Sequence, residues 1–335
     1  MAVVAEAIAS VTFLSVRLLS RDREVTMPRM IKVTGIVVGL ALGGTALAGA
    51  WPGATPQTTD RTRAFTVRVA GTGNRSMILI PGFLSSGEVW DSVVEHFSSR
   101  YRLHVLTIAG FAGVPAVDGP LLPRVRDELI AYMREEHLDR PVLVGHSLGG
   151  FLAFWVASTV PDAVGPIVAV DGVPFMPALI NPSATVADVM PQAEQMRALY
   201  RPMTPEQLGN QTRLALAHMI SGQTNIARAA AWAAQSDGRA AGQAIFELMT
   251  TDLRGEAANI RSDVLLIAAV KAVASVPARL EAAQKAYKAQ VARVPNHRVV
   301  AATHALHFVM LDDPPFLHAT LDAFLDRALP RAGRR

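Results

Sequence analysis

The chain contains no cysteine among its 335 residues. Disulfide bridges, zinc sites built on thiolates and a cysteine nucleophile are therefore all excluded. The absence of cysteine is compatible with either a reducing or an oxidising compartment. Half of the residues are apolar, which is enough to bury one large core with an inserted subdomain. The composition thus favours one large domain over two separate ones.

The chain also lacks a strong excess of charge of either sign. It has 32 basic and 28 acidic residues in total, of which five basic and three acidic residues lie in the first 50 positions. Residues 51–335 therefore carry 27 basic and 25 acidic residues. A balance this close to neutral, without a basic stripe, gives no reason to expect nucleic acid as a partner.

The first 50 residues have the pattern of a secretory signal peptide. Arg29 and Lys32 precede an uncharged apolar run from Val33 to Ala50, and Ala48-Gly49-Ala50 offers a cleavage site of the Ala-x-Ala type. The pattern predicts export with cleavage after Ala50, so that the mature protein is secreted or periplasmic and has no stable membrane anchor. The alternative is an uncleaved membrane anchor through residues 31–50, because this stretch is long enough to span a bilayer.

One stretch near the middle of the chain predicts a nucleophile. An apolar run at Pro141–Val144 predicts a buried strand, and Phe151–Val160 has the pattern of a helix. Between them lies Gly145-His146-Ser147-Leu148-Gly149, whose glycines permit a sharp and strained strand-to-helix turn around the serine. The helix that follows aims its positive end at the same place. Ser147 is therefore the predicted nucleophile, and His146 is interpreted as a spacer within the turn.

Apolar runs that predict strands recur along the chain and alternate with helical patterns. Helices are predicted at Trp90–Phe97 and at Pro123–His137. This alternation favours a parallel sheet that is covered by helices on both faces. Besides the strand before Ser147, strands are predicted at Phe65–Val69, Met77–Ile80, Leu103–Ile108, Pro166–Val170, Val264–Ile267 and His297–Ala301.

After Asp171 the pattern changes to proline-interrupted helical stretches that continue to about Asn259. Such a helical insertion is typical of a cap over an active site. Its methionines could line an apolar pocket or form the core of the cap itself, and none is assigned to the site. The helical stretches are Ala193–Tyr200, Pro205–Ser221 and Ala227–Ala234. The predicted organisation is an extension and signal peptide (1–50), a linker (51–63), the first part of the core (64–176), the cap (177–258) and the second part of the core (259–335).

These motifs together resemble the α/β-hydrolase superfamily, in its serine esterase and lipase branch. The resemblance covers about residues 64–329. It implies a mostly parallel central sheet with helices on both faces and a helical cap insertion. Its strongest marks are the Gly-x-Ser-x-Gly turn, Ile80-Pro81-Gly82-Phe83 and His307-Phe308-Val309-Met310.

The resemblance also implies the base and the oxyanion hole. An imidazole must accept the Ser147 proton, and His307 is preferred because an aromatic residue follows it and leads into a helix; His304 is the fallback. The backbone N–H groups of Phe83 and Leu148 are the implied donors to the oxyanion. In this interpretation Gly82 lets the backbone approach the substrate closely.

The acid departs from the pattern of the superfamily. Most relatives carry an aspartate after the sixth strand, yet the segment from Leu266 to Leu280 holds no Asp or Glu. Asp263 lies at the wrong end of this strand, and Asp312 and Asp313 are expected to cap a helix. A subset of the superfamily places the acid after the preceding strand, where Asp171 stands. Asp171 is therefore the predicted acid, with a structural carboxylate at the entry to the cap as the alternative.

The implied function is a serine carboxylic-ester hydrolase that works through an acyl-enzyme and a Ser-His-Asp triad, without cofactor or metal. Its expected partner is a small-molecule ester with an apolar part. The absence of aspartate at position 147 argues against the dehalogenase and epoxide hydrolase branches. An amidase, a lactonase or a carbon–carbon hydrolase stays open, because the turn does not encode the leaving group. The missing acid also leaves open a non-catalytic ligand-binding protein on the same scaffold.

Overall fold

The computed structural model describes residues 63–329 of the chain. The predicted signal peptide with its cleavage site and the linker up to residue 62 lie outside the described residues, as do residues 330–335. Within 63–329, every helix is too short or too polar to cross a bilayer.

Seven strands form one sheet in the spatial order β1-β3-β2-β4-β5-β6-β7. Only the pairing of β1 with β3 is antiparallel, and the five other pairings within the described sheet are parallel. The predicted mostly parallel sheet is thereby confirmed. The strands are β1 (Phe65–Ala70), β2 (Arg75–Ile80), β3 (Tyr101–Ile108), β4 (Val142–His146), β5 (Ile167–Val170), β6 (Val264–Ala269) and β7 (His297–Ala302).

Alternate residues of the central strands supply two separate cores, one on each face of the sheet. In β2, Ile78 and Ile80 belong to one core, whereas Met77 and Leu79 belong to the other. This follows from the period of two along a strand, which sends successive side chains to opposite faces. Because both faces are covered, the strands in the middle of the sheet are continuous apolar runs rather than alternating ones.

Ten α-helices surround the described sheet, and four of them lie in the segment between β5 and β6. We call these four, α4–α7, the cap helices. The helices are α1 (Asp91–Phe97), α2 (Leu122–Glu135), α3 (Leu148–Thr159), α4 (Val186–Tyr200), α5 (Pro205–Leu216), α6 (Gln223–Ala233), α7 (Gly238–Thr250), α8 (Pro277–Gln290), α9 (Val309–Asp312) and α10 (Pro314–Ala328).

The cap helices differ from the sequence expectations in three places. Helix α4 begins at Val186, seven residues before the predicted stretch, because Thr185 and Asp188 form a capping box at its start. Helix α5 ends at Leu216, and a turn rather than further helix continues to residue 221. Helix α7 was not predicted at all, although Asp237 caps its first turn through the Ala240 N–H.

Polar contacts join the cap helices to two of the helices that pack on the sheet. The buried carboxylate of Glu247 on α7 accepts from the backbone N–H groups of Leu121 and Leu122 at 3.0 and 2.7 Å, where α2 begins. On the opposite side of the sheet, Arg228 of α6 forms an ion pair of 2.6 Å with Asp91 of α1. The cap thus contacts the N-termini of two core helices: at α2 its carboxylate meets orphan backbone donors, and at α1 its arginine meets the acidic first residue of the helix.

A second set of contacts joins the cap to the loop that follows β7. The Phe308 N–H donates to the carbonyl oxygen of Met219 at 3.3 Å. The carboxylate of Asp312 accepts from the backbone N–H and the hydroxyl of Ser221, and also from the Leu306 N–H. The expectation that Asp312 caps a helix is therefore wrong, since its oxygens tie the α5–α6 turn to this loop; Asp313 does cap α10.

Candidate active site

The turn between β4 and α3 places Ser147 in a strained backbone conformation. Its φ of 52° and ψ of −117° lie in a region that residues other than glycine rarely occupy. A Cβ on Gly145 would lie 2.1 Å from the Gly149 carbonyl oxygen, and one on Gly149 would lie 2.1 Å from the Ile80 carbonyl oxygen. Only glycine fits at both positions, so the turn packs tightly against β2, and Ser147 lines a cavity between the sheet and the cap helices.

Asp171 follows β5 directly and its carboxylate is fully partnered. One oxygen, Oδ2, lies 2.5 Å from His307 Nδ1. The other, Oδ1, accepts from the Ala269 N–H at 2.9 Å and from the Tyr287 hydroxyl at 2.5 Å. Burial, together with the charge of Asp171, holds the pKa of Tyr287 well above its usual value, so this hydroxyl stays a donor. Only 1% of the Asp171 side chain is exposed at this contact with His307.

The histidine selected from the sequence pattern lies in the same cavity as Ser147. Because Nδ1 of His307 faces the Asp171 carboxylate, its Nε2 is the nitrogen left for proton exchange with a nucleophile. Among the described residues, Ser147 and His307 form no direct hydrogen bond, a looseness that is common in hydrolases before substrate binds. His304 is exposed and does not line the cavity. Asp263 lies at the opposite, amino-terminal end of β6.

His146 does more than separate the strand from Ser147, which corrects its interpretation as a spacer. It is buried, and its Nε2 lies 3.1 Å from the carbonyl oxygen of His307, to which it donates. Burial, and then the neighbouring His307, hold the pKa of His146 well below its usual value, so the ring stays neutral. A Cβ on Gly82 would lie 2.7 Å from His146 Nδ1. Gly82 therefore makes room for this imidazole.

Two backbone N–H groups predicted for the oxyanion hole border the cavity. Leu148 is the first residue of α3, so its N–H has no partner within the helix. Phe83 follows Gly82, and its ring packs edge to face on Phe111 and Tyr200 at centroid distances of 5.5 and 5.6 Å. In the part of the chain that the structure describes, neither N–H donates to a backbone carbonyl. Their role as oxyanion donors stays a prediction.

The cavity in front of Ser147 has a volume of about 190 Å³ and a mainly apolar wall. Methionines contribute much of this wall, although the sequence offered no signal to separate them from methionines of the cap core. They are Met176, Met196, Met219 and Met249. Polar groups from the cap also line the cavity, at Tyr200, Gln211, Thr212 and His218, whereas no described Lys or Arg does.

Residues 63–329 contain no group of three or more His, Asp or Glu side chains arranged to hold a metal ion.

The sequence profile of the alpha/beta hydrolase family matches residues 77–320, and the chain belongs to this family. Among curated proteins, the pimeloyl-[acyl-carrier protein] methyl ester esterase of Aliivibrio salmonicida is 32% identical over 98 residues, which cover 29% of this chain and 36% of that protein. The enzyme of the same name from Citrobacter koseri is 30% identical over 104 residues, 31% of this chain and 39% of that protein. The matches thus span little more than a third of these relatives.

Solved structures with the same fold extend over most of the chain. A hydrolase from Pseudomonas aeruginosa superposes with a TM-score of 0.65 at 17% identity and covers 82% of this chain and 98% of its own. An esterase from Thermogutta terrifontis gives a TM-score of 0.64 at 17% identity, with 79% and 93% covered. The enol-lactonase of Burkholderia xenovorans gives 0.62 at 17% identity, with 78% and 96% covered. At this identity the likeness shows the fold alone.

Proposed function

We propose that this protein is a serine carboxylic-ester hydrolase in which Ser147, His307 and Asp171 form the triad. The observation that carries the proposal is the 2.5 Å contact between Asp171 and His307 Nδ1, in the cavity that Ser147 enters from its strained turn. Membership of the alpha/beta hydrolase family supports hydrolase chemistry. The curated relatives are named as methyl ester esterases, which supports an ester as the substrate.

In this mechanism Ser147 Oγ attacks the ester carbonyl carbon while His307 Nε2 accepts the serine proton. The carbonyl π electrons move onto the oxygen, which the N–H groups of Phe83 and Leu148 stabilise. When the tetrahedral intermediate collapses, the C–O bond to the alcohol breaks and His307 returns its proton to the leaving oxygen. Water then repeats the sequence on the acyl-enzyme and releases the acid. Asp171 keeps the ring orientation and stabilises the imidazolium in both halves.

The Asp171–His307 contact also bears on the alternative of a non-catalytic binding protein. That alternative arose because no acid follows β6. A carboxylate that reaches the histidine from the end of β5 supplies the missing function from another strand. A purely structural Asp171 would need no contact with the base, so the contact supports the enzyme.

The location of the enzyme is proposed from the sequence alone. The apolar run Val33–Ala50 behind Arg29 and Lys32 supports export and cleavage after Ala50. Amino-terminal sequencing of protein recovered from a periplasmic or culture fraction tests this. A chain that begins at Trp51 is expected, whereas an intact amino terminus in the membrane fraction would indicate an anchor.

The function is tested with p-nitrophenyl esters from acetate to palmitate, using protein that begins at Trp51 and so keeps all described residues. Ser147→Ala is expected to lower kcat by a factor on the order of 10⁴ or more, because the nucleophile is lost. Ser158→Ala, a serine of α3 outside the cavity, serves as the matched control. A fluorophosphonate is expected to label wild type but not Ser147→Ala. Equal turnover by wild type and Ser147→Ala on every ester would refute the proposal.

A further inference from the structure

The side chain of Gln211 lines the cavity, and its amide nitrogen is unpartnered among the described residues. Its Nε2 atom is buried and forms no hydrogen bond with any residue that the structure describes. The other glutamine of helix α5, Gln207, uses its side chain in the capping box with Thr204. Gln211 therefore stands apart, because a buried amide donor without a partner destabilises a fold.

The position of Gln211 is fixed by the packing of its helix. Helix α5 meets α6 at Gly209, where an added Cβ would lie 2.6 Å from the Cβ of Ala234. Gln211 comes two residues later, so it lies on the opposite face of α5, away from the contact with Ala234, and lines the cavity. The described residues supply no partner to its Nε2, and an occupant of the cavity can supply one.

The surroundings of the amide restrict the chemistry of that partner. An amide N–H₂ group donates, so the partner must offer an acceptor oxygen. A carboxylate would need a compensating cation, and no described Lys or Arg lines the cavity. Tyr200 also lines the cavity, and burial raises the pKa of its hydroxyl to about 12, so this second polar group of the cap is neutral as well. The cap side of the cavity thus offers the Gln211 amide donor to a neutral oxygen.

We infer that Gln211 is a specificity-determining residue, which binds a neutral acceptor oxygen (a ketone, a hydroxyl or a second ester) that the substrate carries apart from the ester to be cleaved. This inference rests on the proposed ester hydrolysis and adds the substrate class to it. The oxygen can lie on the acyl or the alcohol side of the substrate, and the experiment separates these two sources.

The acyl side is tested with p-nitrophenyl octanoate and a series of oxo-octanoates in which the ketone moves along the chain. The alcohol side is tested with octyl butyrate and the matching oxo-octyl butyrates. For the ketone position that reaches Gln211, wild type is expected to have a higher kcat/KM than for the plain ester. Gln211→Met keeps the length of the side chain but removes the donor. It is therefore expected to lower the ratio of kcat/KM for this keto ester to kcat/KM for the plain ester about tenfold. For plain p-nitrophenyl octanoate, kcat/KM should differ less than twofold between wild type and Gln211→Met.

Two controls keep the outcome specific. Gln235→Met removes an exposed glutamine that lies outside the cavity and is expected to leave every ratio unchanged. The melting temperature of Gln211→Met should equal or exceed that of wild type; a fall of several degrees would indicate a structural role and overturn the inference.

The same experiment distinguishes the two proposals. If plain octanoate is hydrolysed but the ketone ratios are equal in wild type and Gln211→Met in both arms, this inference is wrong while the proposed function stands. If wild type hydrolyses no ester faster than Ser147→Ala, the proposed function fails and this inference fails with it.

Discussion

The Asp171 carboxylate and the Gln211 amide lie on two sides of the cavity and differ in how their hydrogen bonds are completed. On the sheet side, the Asp171 carboxylate accepts from Ala269 and Tyr287 and contacts His307, so its orientation is set before any substrate arrives. On the cap side, the Nε2 atom of Gln211 is buried at the cavity without a partner among the described residues. Reactivity benefits from groups that are held in place beforehand, whereas recognition needs groups whose hydrogen bonds the ligand completes.

Replacing Asp171 by asparagine should remove the carboxylate that orients the His307 ring. The amide can donate to His307 Nδ1 and so favour the wrong tautomer, which is expected to lower kcat about 10⁴-fold with little change in KM. The comparison variant is Asp313→Asn, which alters the cap of α10 outside the cavity and should keep its kcat. Ester kinetics measure both. A loss below tenfold in Asp171→Asn would show that the acid lies elsewhere.

Two variants of His146 should separate the effect of its hydrogen bond to His307 from the effect of its size. His146→Leu leaves the carbonyl oxygen of His307 without its donor, so the base moves and kcat is expected to fall roughly 10- to 100-fold. His146→Gln can place an amide N–H₂ near the position of Nε2 and should recover most of the loss. Equal losses in both variants would mean that packing, rather than the hydrogen bond, matters here.

The buried His104 of β3 should make the stability of the protein sensitive to acid. Burial, and then Arg102, lower its pKa to about 4 from 6.5, so the folded state binds fewer protons than the unfolded state. Its contribution to stability is full above pH 6.5 and is lost as the pH falls toward 4. The free energy of unfolding of wild type, relative to His104→Gln, should fall by about 2 kcal/mol between pH 7 and pH 5. Urea unfolding at both pH values measures this difference, and a constant difference would contradict the prediction.

Glu247 of α7 should give the stability of the protein a smaller dependence on pH, with the opposite sign. Burial raises the pKa of this carboxyl against the lowering effect of its hydrogen bonds from Gln243, Leu122 and Leu121. The folded state therefore holds the proton more tightly, and the contribution to stability is lost as the pH rises through the folded pKa.

The stability of wild type relative to Glu247→Gln should thus decline as the pH rises, and the variant itself loses hydrogen bonding worth on the order of 1 kcal/mol. Urea unfolding across the mildly acidic range tests the sign. A difference that grows with rising pH would refute this assignment.

The two sides of the cavity also differ in what the sequence could predict. The turn around Ser147 and the buried strands are local signals, because glycine spacing and apolar runs directly determine a tight turn and a covered parallel sheet. Chain order along the sheet also pointed to Asp171 and to His307, which the structure places in contact. The role of Asp312 and the contact of His146 could not be foreseen, since both depend on which loops meet in space.

The cap residues that face the cavity could not be predicted from the sequence either. Which of its methionines face the cavity, and where Gln211 points, depends on how four helices pack together rather than on any local pattern. Helix α7 was missed although Asp237 caps it and its apolar residues follow a helical pattern; in the structure it packs closely on α4 at Gly242 and contacts α2 through Glu247.

The bonds between the α5–α6 turn and the loop bearing His307 limit how the cap of this protein can be exchanged. Since Met219 accepts from Phe308, and Ser221 donates to Asp312, an exchanged cap would release the loop that bears His307. Cap grafts between members of the family would therefore have to carry the loop after β7 with them.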